Sequence, residues 1–512
     1  MNFLDKLLIY YNIDIDDYNE LKNPSSLLDL PDTNNIKGMD KVVERIHKAI
    51  NNKEKIMIYG DYDCDGICAT SIMVKTFQKL NYKVGYIIPS RYIDGYGLNE
   101  NNAEKIAKAN YKLIICVDNG ITAYEAIDKA NELGSDVIVI DHHEIGDKIN
   151  NAVGIIHPIV SDISPIIGSG GFMALLVSKA LLNNYDPYLL TLAGLSTITD
   201  CMELKGYNRH LVRLALSYFD NYHFYQLESL KDHKLIDEST FSMEIGPKIN
   251  AVGRIYENYQ AMKVVELLTS DDKNNISSLA NLIKEINENK KALLNDATKE
   301  LESISFDKGI CLNTNIKEGF LGLLANKLLN KYNVPTMLFT KSENNMLKGS
   351  MRSKNGFDCF KALTELSHLI VTFGGHSGAA GVTIKEEDFT SFKDAFIKLC
   401  EKYPFVDQEK YIEIDLKDIN FDNYNIYKVF KPFGQGNKEP KFLIKNVPTK
   451  GLNFVSFGKH LSTELSLNTK LLGFNMPEIE IKKKQFIDIY GTFFLSEFRE
   501  RITLEFRIDK FE

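Results

Sequence analysis

Along the first third of the chain, short apolar runs alternate with stretches in which apolar residues recur at helical spacing. The apolar runs fall at 55–59, 84–88, 113–117, 136–140 and 152–156, each too short for a helix. Strands alternating with helices predict parallel βαβ units with helices packed over the sheet. Residues 170–240 then read mainly as helix, including 171–183 and 187–202. Farther on, Ile276, Leu279, Leu282, Ile283 and Ile286 keep a helical period in a background rich in lysine, glutamate and asparagine. One long linking helix over 271–303 is the reading. A second α/β module is expected over about 309–402, glycine-rich near its end. From about 405 the pattern shortens to alternating strands at 411–416, 441–445 and 502–508, which predicts a small β-barrel or sheet. No internal repeat or low-complexity tract interrupts this order.

Composition agrees with several folded cores. The chain has 512 residues, 44% hydrophobic and 25% charged, enough for about three domains. No apolar run approaches the roughly 18–20 residues needed to cross a bilayer, and no signal peptide is expected over residues 1–13. The expectation is a protein without a membrane span. Seven scattered cysteines without a Cys-x-x-Cys pair favour the reducing cytoplasm and disfavour a zinc ribbon. A net charge of −8 supplies no general attraction to nucleic acid. It does not exclude such binding, because a cluster of metal-binding carboxylates can supply much of the acidity while basic residues line a separate groove. Only nine residues are arginine, the side chain suited to bidentate phosphate recognition, so their positions carry information.

The candidate chemistry lies at strand ends. The run ending at Tyr59 leads into Asp61, Asp63 and Asp65, and an extended backbone would send these alternate carboxylates to one side. Such a cluster repels itself without cations, and hard divalent ions prefer oxygen ligands. Two more strands end in the same way, one in Asp118-Asn119-Gly120 and one in Asp141-His142-His143. In an open parallel sheet, ligands bind beyond the carboxyl ends of the strands, so all three ends should face one crevice. Asp200, near the end of an apolar helix, reads on its own as a helix-end charge. Together these residues suit two Mn²⁺ or Mg²⁺ ions and phosphoester hydrolysis. No Gly-x-x-x-x-Gly-Lys-Ser/Thr loop is present, which leaves nucleotide-driven motor chemistry without support.

The segments Gly60-Asp61-Tyr62-Asp63-Cys64-Asp65-Gly66, Val117-Asp118-Asn119-Gly120, Asp141-His142-His143 and Thr197-Ile198-Thr199-Asp200 resemble the four ordered motifs of the DHH phosphoesterase superfamily. Further segments resemble its bacterial RecJ family of single-strand-specific exonucleases: Pro89-Ser90-Arg91 with Gly95-Tyr96-Gly97-Leu98, Gly246 to Arg254, Gly349-Ser350-Met351-Arg352-Ser353, Phe373 to Gly381, and Pro432 to Asn437. The match runs from about residue 39 to near the end.

The resemblance implies an N-terminal segment at 1–38, a parallel-sheet DHH catalytic domain at 39–265 and a linking helix at 266–305. It further implies a smaller α/β DHHA1 domain at 306–402 and an OB-like β-barrel that grips nucleic acid at 403–512. It implies that Asp61, Asp63, Asp65, Asp118, His142 and Asp200 surround the two metals, with Asp118 as bridge and with Asp141 and His143 in support or against the scissile phosphate. Nucleic-acid contacts are implied for Arg91, Tyr96, Arg254, Ser350, Arg352, Ser353, Gly374, Gly375 and His376, with Ser350 and Arg352 forming a pocket for a 5′-terminal phosphate. The expected activity is metal-dependent 5′→3′ degradation of single-stranded DNA to mononucleotides in DNA repair and recombination. Expected partners are single-stranded DNA, with a single-strand-binding protein and a helicase as candidate proteins, for a cytoplasmic monomer.

Two other readings stand beside it. A phosphodiesterase of short oligonucleotides or cyclic dinucleotides would not need the C-terminal region, and a non-catalytic scaffold would have lost the aspartates. The chain departs from the family pattern at His157-Pro158, where Asn-Pro is usual, at Glu318 to Gly322, and at Phe498, where tryptophan is common. It also ends soon after the OB-like region, so the extra C-terminal domain of some longer relatives is expected to be lacking.

Overall fold

The computed structural model describes residues 1–512 except 92, 165, 256–259, 302–307, 355, 404–408 and 500. The end of the predicted linking helix, at 302–303, and the expected boundary at 305/306 lie outside the described residues. The chain divides into two compact units, Met1–Ile283 with Lys410–Glu512, and Lys284–Glu409.

In the first unit, strands β1 (Lys55–Tyr59), β2 (Gly85–Ile87), β3 (Tyr111–Val117), β4 (Asp136–Ile140) and β5 (Gly154–Ile156) form a sheet in the order β2-β1-β3-β4-β5. Every pairing is parallel. The three central strands are near-continuous apolar runs because helices cover both faces. On one face, Cys116, Val137 and Val139 pack with Ile106, Ala126 and Ile127 of the helices Glu100–Lys108 and Tyr124–Glu132. The other face carries the almost wholly buried helix Cys64–Lys79, packed on Gly170–Leu182 and Pro187–Thr199. Strand order reverses between β1 and β3, which opens a crevice at their carboxyl ends.

Two local expectations change. Asp65 does not continue an extended strand: β1 stops at Tyr59, Asp63 is the N-cap of the helix Cys64–Lys79, and Asp65 lies in its first turn. Asp63 Oδ1 accepts from the Gly66 N–H at 3.1 Å, and capping of the free amides wins over strand continuation. The apolar helix expected to reach residue 202 ends at Thr199, with Asp200 as its C-cap and Cys201 left-handed at φ 56°.

The second unit holds β6 (Ile310–Thr314), β7 (Thr336–Lys341), β8 (Met346–Arg352), β9 (Thr372–Gly375) and β10 (Ala379–Lys385), in the order β6-β7-β8-β10-β9. Only β6 and β7 pair in parallel; the rest are antiparallel. The helix Lys273–Glu300 crosses the division between the units. Within the second unit its Leu294 and Ala297 pack against Leu321, Leu324 and Leu328 of the helix Glu318–Tyr332.

The remaining strands belong to the first unit. They are β11 (Tyr411–Glu413), β12 (Lys441–Pro448), β13 (Phe454–Val455), β14 (His460–Ser466), β15 (Thr469–Gly473), β16 (Phe486–Phe498) and β17 (Arg501–Phe511), ordered β11-β12-β16-β17-β15-β14-β13. Their core is completed by the other end of the chain. Phe3, Leu7 and Tyr18, from the helices Phe3–Tyr11 and Ile15–Lys22, are buried among Tyr427, Phe442 and Phe493. Phe3 stacks on Phe442 at 5.7 Å and Tyr11 on Phe430 at 4.6 Å. The α/β part is tied to the same region by buried Arg209, whose Nη2 donates to the carbonyls of Phe430 and Lys431 at 3.1 and 2.8 Å. Lys431 also pairs with Asp237 at 3.0 Å.

Candidate metal centre

Three strand ends and one helix end meet in the crevice. The loop after β1 supplies Asp61 and Asp63, and the helix that follows supplies Asp65. Asp118 follows β3, Asp141, His142 and His143 follow β4, and Asp200 caps the helix Pro187–Thr199. Their donor atoms fall into three groups, each within 4.8 Å: Asp61, Asp63 and Asp118; Asp118, His142 and His143; and Asp65, His142 and Asp200. Asp118 and His142 each belong to two groups, so the cluster is continuous. Asp141 belongs to none.

Asp118 adopts φ 61°, a left-handed conformation that turns its carboxylate back over the strand ends. Its Oδ1 lies 3.1 Å from His142 Nε2, which is also 3.5 Å from Asp65 Oδ2 and from Asp200 Oδ2. Asp65 is held by the N–H groups of Gly170 and Gly171 at 2.8 and 2.7 Å and by the Ser196 hydroxyl at 2.5 Å. Asp141 serves a different purpose. It accepts from the N–H groups of Ile121 and His142 at 2.9 and 2.7 Å and from His143 Nδ1 at 2.8 Å. That arrangement fixes the His143 ring, whose Nδ1 also lies 2.9 Å from Tyr96 Oη.

Packing so many carboxylates together has an electrostatic cost. Burial, then the charges of Asp65, Asp63 and Asp61, pushes the Asp118 carboxyl well above its usual range. Burial and Asp63 raise Asp61, burial and Asp65 raise Asp63, and burial with Asp65 and Asp63 pushes Asp200 up to about 8. Burial lowers His142, favouring the neutral imidazole that can ligate a metal. His143 moves the other way: burial opposes its charge, but the Asp141 hydrogen bond and the surrounding carboxylates outweigh it and lift the group to about 9. Burial works against Asp141 as well, yet its bonds to His143 and Ile121 draw it down to about 2.

Among the described residues, Asp61 Oδ1, Asp118 Oδ1 and His142 Nε2 are buried without a hydrogen-bond partner. Orphaned polar atoms of this kind are rare and call for an explanation such as an ion. Carboxylate oxygens with a neutral imidazole, arranged in overlapping groups, fit hard divalent cations of the Mn²⁺ or Mg²⁺ class.

Several further residues support the cluster. Gly170 and Gly171 come close to the cluster, where an added Cβ would collide with the Asp118 carboxylate and with Ser196 Oγ respectively. Asn119 Nδ2 staples the carbonyls of Tyr59, Gly60 and Val117 at 2.9–3.2 Å, joining the ends of β1 and β3. Asn250, on the helix Gly246–Ile255, accepts from the Cys64 N–H at 2.9 Å, and a Cβ on Gly253 would meet the Tyr62 carbonyl at 2.5 Å. Asn119 stands beside Asp118, and Asn250 and Gly253 lie in the segment Gly246 to Arg254, whereas Gly170 and Gly171 carry no local signal; in each case only the tertiary contact gives the role.

Of the candidate nucleic-acid contacts in the first unit, Arg91 stacks on the Tyr62 ring at 4.3 Å, and its charge is felt by Asp61. The charge of Arg254 acts on Asp63 and Tyr62. Tyr96 sits against His143. These three therefore border the aspartate loop.

The second unit assembles the remaining candidates on one sheet and in the segments just after its strands β8 and β9. On β8, Arg352 Nη1 donates to Ser350 Oγ at 2.9 Å and to the Met351 carbonyl at 2.7 Å. Across the strands, Ser350 faces Gly381, which faces Gly374, and an added Cβ at either glycine would touch nothing within 4 Å. The result is an open backbone shelf beside Ser350. Gly375 lies at φ 143°, which favours glycine, and the His376 N–H closes on the Ala379 carbonyl at 2.8 Å. Ser353 is buried and donates its N–H to the Gly378 carbonyl at 3.0 Å. Gly322, in the segment that departs from the family pattern, makes room for the pocket: a Cβ there would collide with Arg352 Nη2.

Comparison with known proteins agrees with this architecture. Residues 55–198 match the DHH family N-terminal domain, 307–402 the DHHA1 domain and 412–510 the RecJ OB domain. The single-stranded-DNA-specific exonuclease RecJ of Bacillus subtilis (strain 168) is 32% identical over 92% of this chain, and the chain spans 63% of that relative's length. The Thermus thermophilus enzyme of the same name is 27% identical over 90% of this chain and 69% of its own. Among solved structures, Thermus thermophilus RecJ in complex with Mn²⁺ superposes with a TM-score of 0.81 at 23% identity, covering 96% of this chain and 73% of that one. An exonuclease RecJ bound to manganese gives 0.61 at 26%, covering 72% and 96%. The chain thus carries a DHH domain, a DHHA1 domain and a RecJ OB domain, in this order.

Proposed function

We propose that this protein is a divalent-metal-dependent exonuclease that hydrolyses single-stranded DNA from its 5′ end and releases mononucleotides, acting in DNA repair and recombination. The observation that carries the reading is the continuity of the three donor groups through Asp118 and His142, with buried donor atoms left without partners. Asp61, Asp63, Asp65, Asp118, His142 and Asp200 would hold two Mn²⁺ or Mg²⁺ ions, with Asp118 belonging to two of the donor groups. When bound, such ions activate water and stabilise the charge that develops in phosphoryl displacement.

The rest of the site prepares the substrate. Asp141 keeps the His143 ring oriented and charged, so that His143 donates a hydrogen bond to the scissile phosphate. Arg91, Arg254 and Tyr96 bind the phosphates nearest the aspartate loop. Ser350 and Arg352 receive the 5′-terminal phosphate through a hydroxyl and a planar fork of donors. Ser353 steadies the turn beside them, and the exposed backbone of Gly374 and Gly375 with His376 lies along the strand. The OB domain, matched at 412–510, adds a further hold on the single strand. The protein works as a cytoplasmic monomer, a location supported by its seven free cysteines. It takes duplex substrates from a separate helicase and single strands from a single-strand-binding protein. Among the described residues no helix is long and apolar enough to cross a membrane.

Digestion of single-stranded DNA labelled at its 3′ end, with Mn²⁺, Mg²⁺ or chelator and with duplex DNA and a dinucleotide alongside, tests the reading. The expected result is a metal-dependent ladder of shortened, still-labelled fragments with duplex spared. Cleavage of the dinucleotide alone would overturn it.

A further inference from the structure

His157 is fully buried, yet both ring nitrogens are used. It follows β5, whose Ile156 carbonyl accepts from the Asp141 N–H at 3.0 Å, the last backbone bond between β5 and the segment leaving β4. One step further the pairing continues through a side chain: His157 Nε2 lies 2.8 Å from the His143 carbonyl. A carbonyl only accepts, so Nε2 carries the hydrogen. On the other side, Nδ1 accepts from the Ile159 N–H at 3.2 Å. The two bonds select one tautomer and one ring orientation.

The ring is itself anchored. The His157 N–H donates to Ser161 Oγ at 3.2 Å, the Ser161 N–H returns to the His157 carbonyl at 2.9 Å, and Ser161 Oγ donates to the Ile155 carbonyl at 3.2 Å. A rigid turn at 157–161 thus reaches across to the backbone immediately after His142. The opposite face of His143 is set by Asp141 and Tyr96, and the His142 and His143 rings are 4.5 Å apart. Between the end of β4 and the His143 carbonyl, the Asp141 carboxylate holds the N–H groups and His157 holds the carbonyl.

We infer that His157 is a positioning residue for the metal centre: its Nε2–H holds the His143 carbonyl and thereby sets where both adjacent imidazoles point. An asparagine at this position would keep an acceptor for the Ile159 N–H, but its amide ends one bond short of Nε2. In this chain the imidazole supplies the longer reach, and a glutamine amide approximates it. The inference rests on the proposed metal centre and adds a residue that touches neither metal nor substrate.

The test compares His157→Gln, His157→Asn and His157→Ala. Mn²⁺ affinity of the DNA-free protein is measured by calorimetry, thermal melting is followed in chelator, and kcat and KM are measured on single-stranded DNA. The expected result is that Asn and Ala weaken Mn²⁺ binding and lower kcat by about tenfold or more with KM within about twofold, while Gln restores most of both. The Asn variant should melt within a few degrees of wild type. Wild-type metal affinity and kcat in the Asn variant would overturn the inference, as would losses that simply follow melting temperature across all three variants. A wild-type protein that binds Mn²⁺ but cleaves no DNA would count against the proposed function, while the Mn²⁺ affinities would still decide the role of His157.

Discussion

Asp118 Oδ1 and His142 Nε2 lie 3.1 Å apart, both buried and neither hydrogen-bonded among the described residues. Each belongs to two of the three donor groups. The pair is therefore where the three donor groups of the candidate metal centre join, and the left-handed backbone of Asp118 is the local strain that permits it.

Replacing Asp118 with asparagine keeps the size but removes the shared charge. Hydrolysis of single-stranded DNA should fall by about 10²–10³-fold or more, the scale of losing a group that organises transition-state charge. In chelator the variant should melt at or above the wild-type temperature, because a crowded buried carboxylate has gone. Nuclease assays and melting curves check both halves, and full activity in Asp118→Asn would falsify the shared role.

The metal-free protein should lose stability as pH rises. Burial with the charges of Asp65 and Asp63 pushes Asp200 from 3.8 up to about 8, so the folded state binds more protons between those values. His143, lifted from 6.5 to about 9, contributes stability that is complete below 6.5 and lost toward 9, the same direction. Melting temperatures between pH 5 and 9 in chelator should therefore decline, and saturating Mn²⁺ should flatten the slope by binding the deprotonated cluster. A flat profile in chelator would contradict the raised carboxyls.

Gly322 and Arg352 should act together in recognising the 5′ end. A Cβ at Gly322 displaces the flexible end of Arg352 rather than backbone, so Gly322→Ala should fold normally. Both Gly322→Ala and Arg352→Gln should reduce the preference for 5′-phosphorylated over 5′-hydroxyl DNA, by about 10–100-fold for the latter, the value of a charge-assisted hydrogen bond. Mn²⁺ affinity should not change. Competition between the two oligonucleotides is the measurement.

Phe3→Ala should destabilise the C-terminal sheet, not merely a terminal helix. The ring is buried against Phe442 and Phe493, and removing such a side chain costs about 3–5 kcal/mol. Affinity for long single strands should drop with the melting temperature of that region, while Mn²⁺ binding at the strand ends persists. Hydrogen exchange of β12 and β16 separates this outcome from simple fraying of the first helix.

Much of this organisation is written locally. The apolar runs locate β1, β3 and β4 because buried parallel strands need unbroken hydrophobic stretches, and the aspartates directly after them mark the carboxyl edge of the sheet. Glycine and serine next to arginine at 349–353 are legible in the same way, since their chemistry shows in the residue types. Local pattern could not show that Asp65 belongs to a helix, because three alternating acids look alike in a strand and in a capped first turn. Nor could it distinguish Asp141, which spends its carboxylate on neighbouring N–H groups, from Asp118, which keeps an oxygen free. The joining of Phe3 to Phe442, of Gly322 to Arg352 and of His157 to the His143 carbonyl depends on contacts between distant positions. Residue order therefore announces which chemistry is available and at which ends of which elements. Which atoms share a partner emerges when the chain folds, because hydrogen-bond satisfaction and close packing are set by all the elements at once.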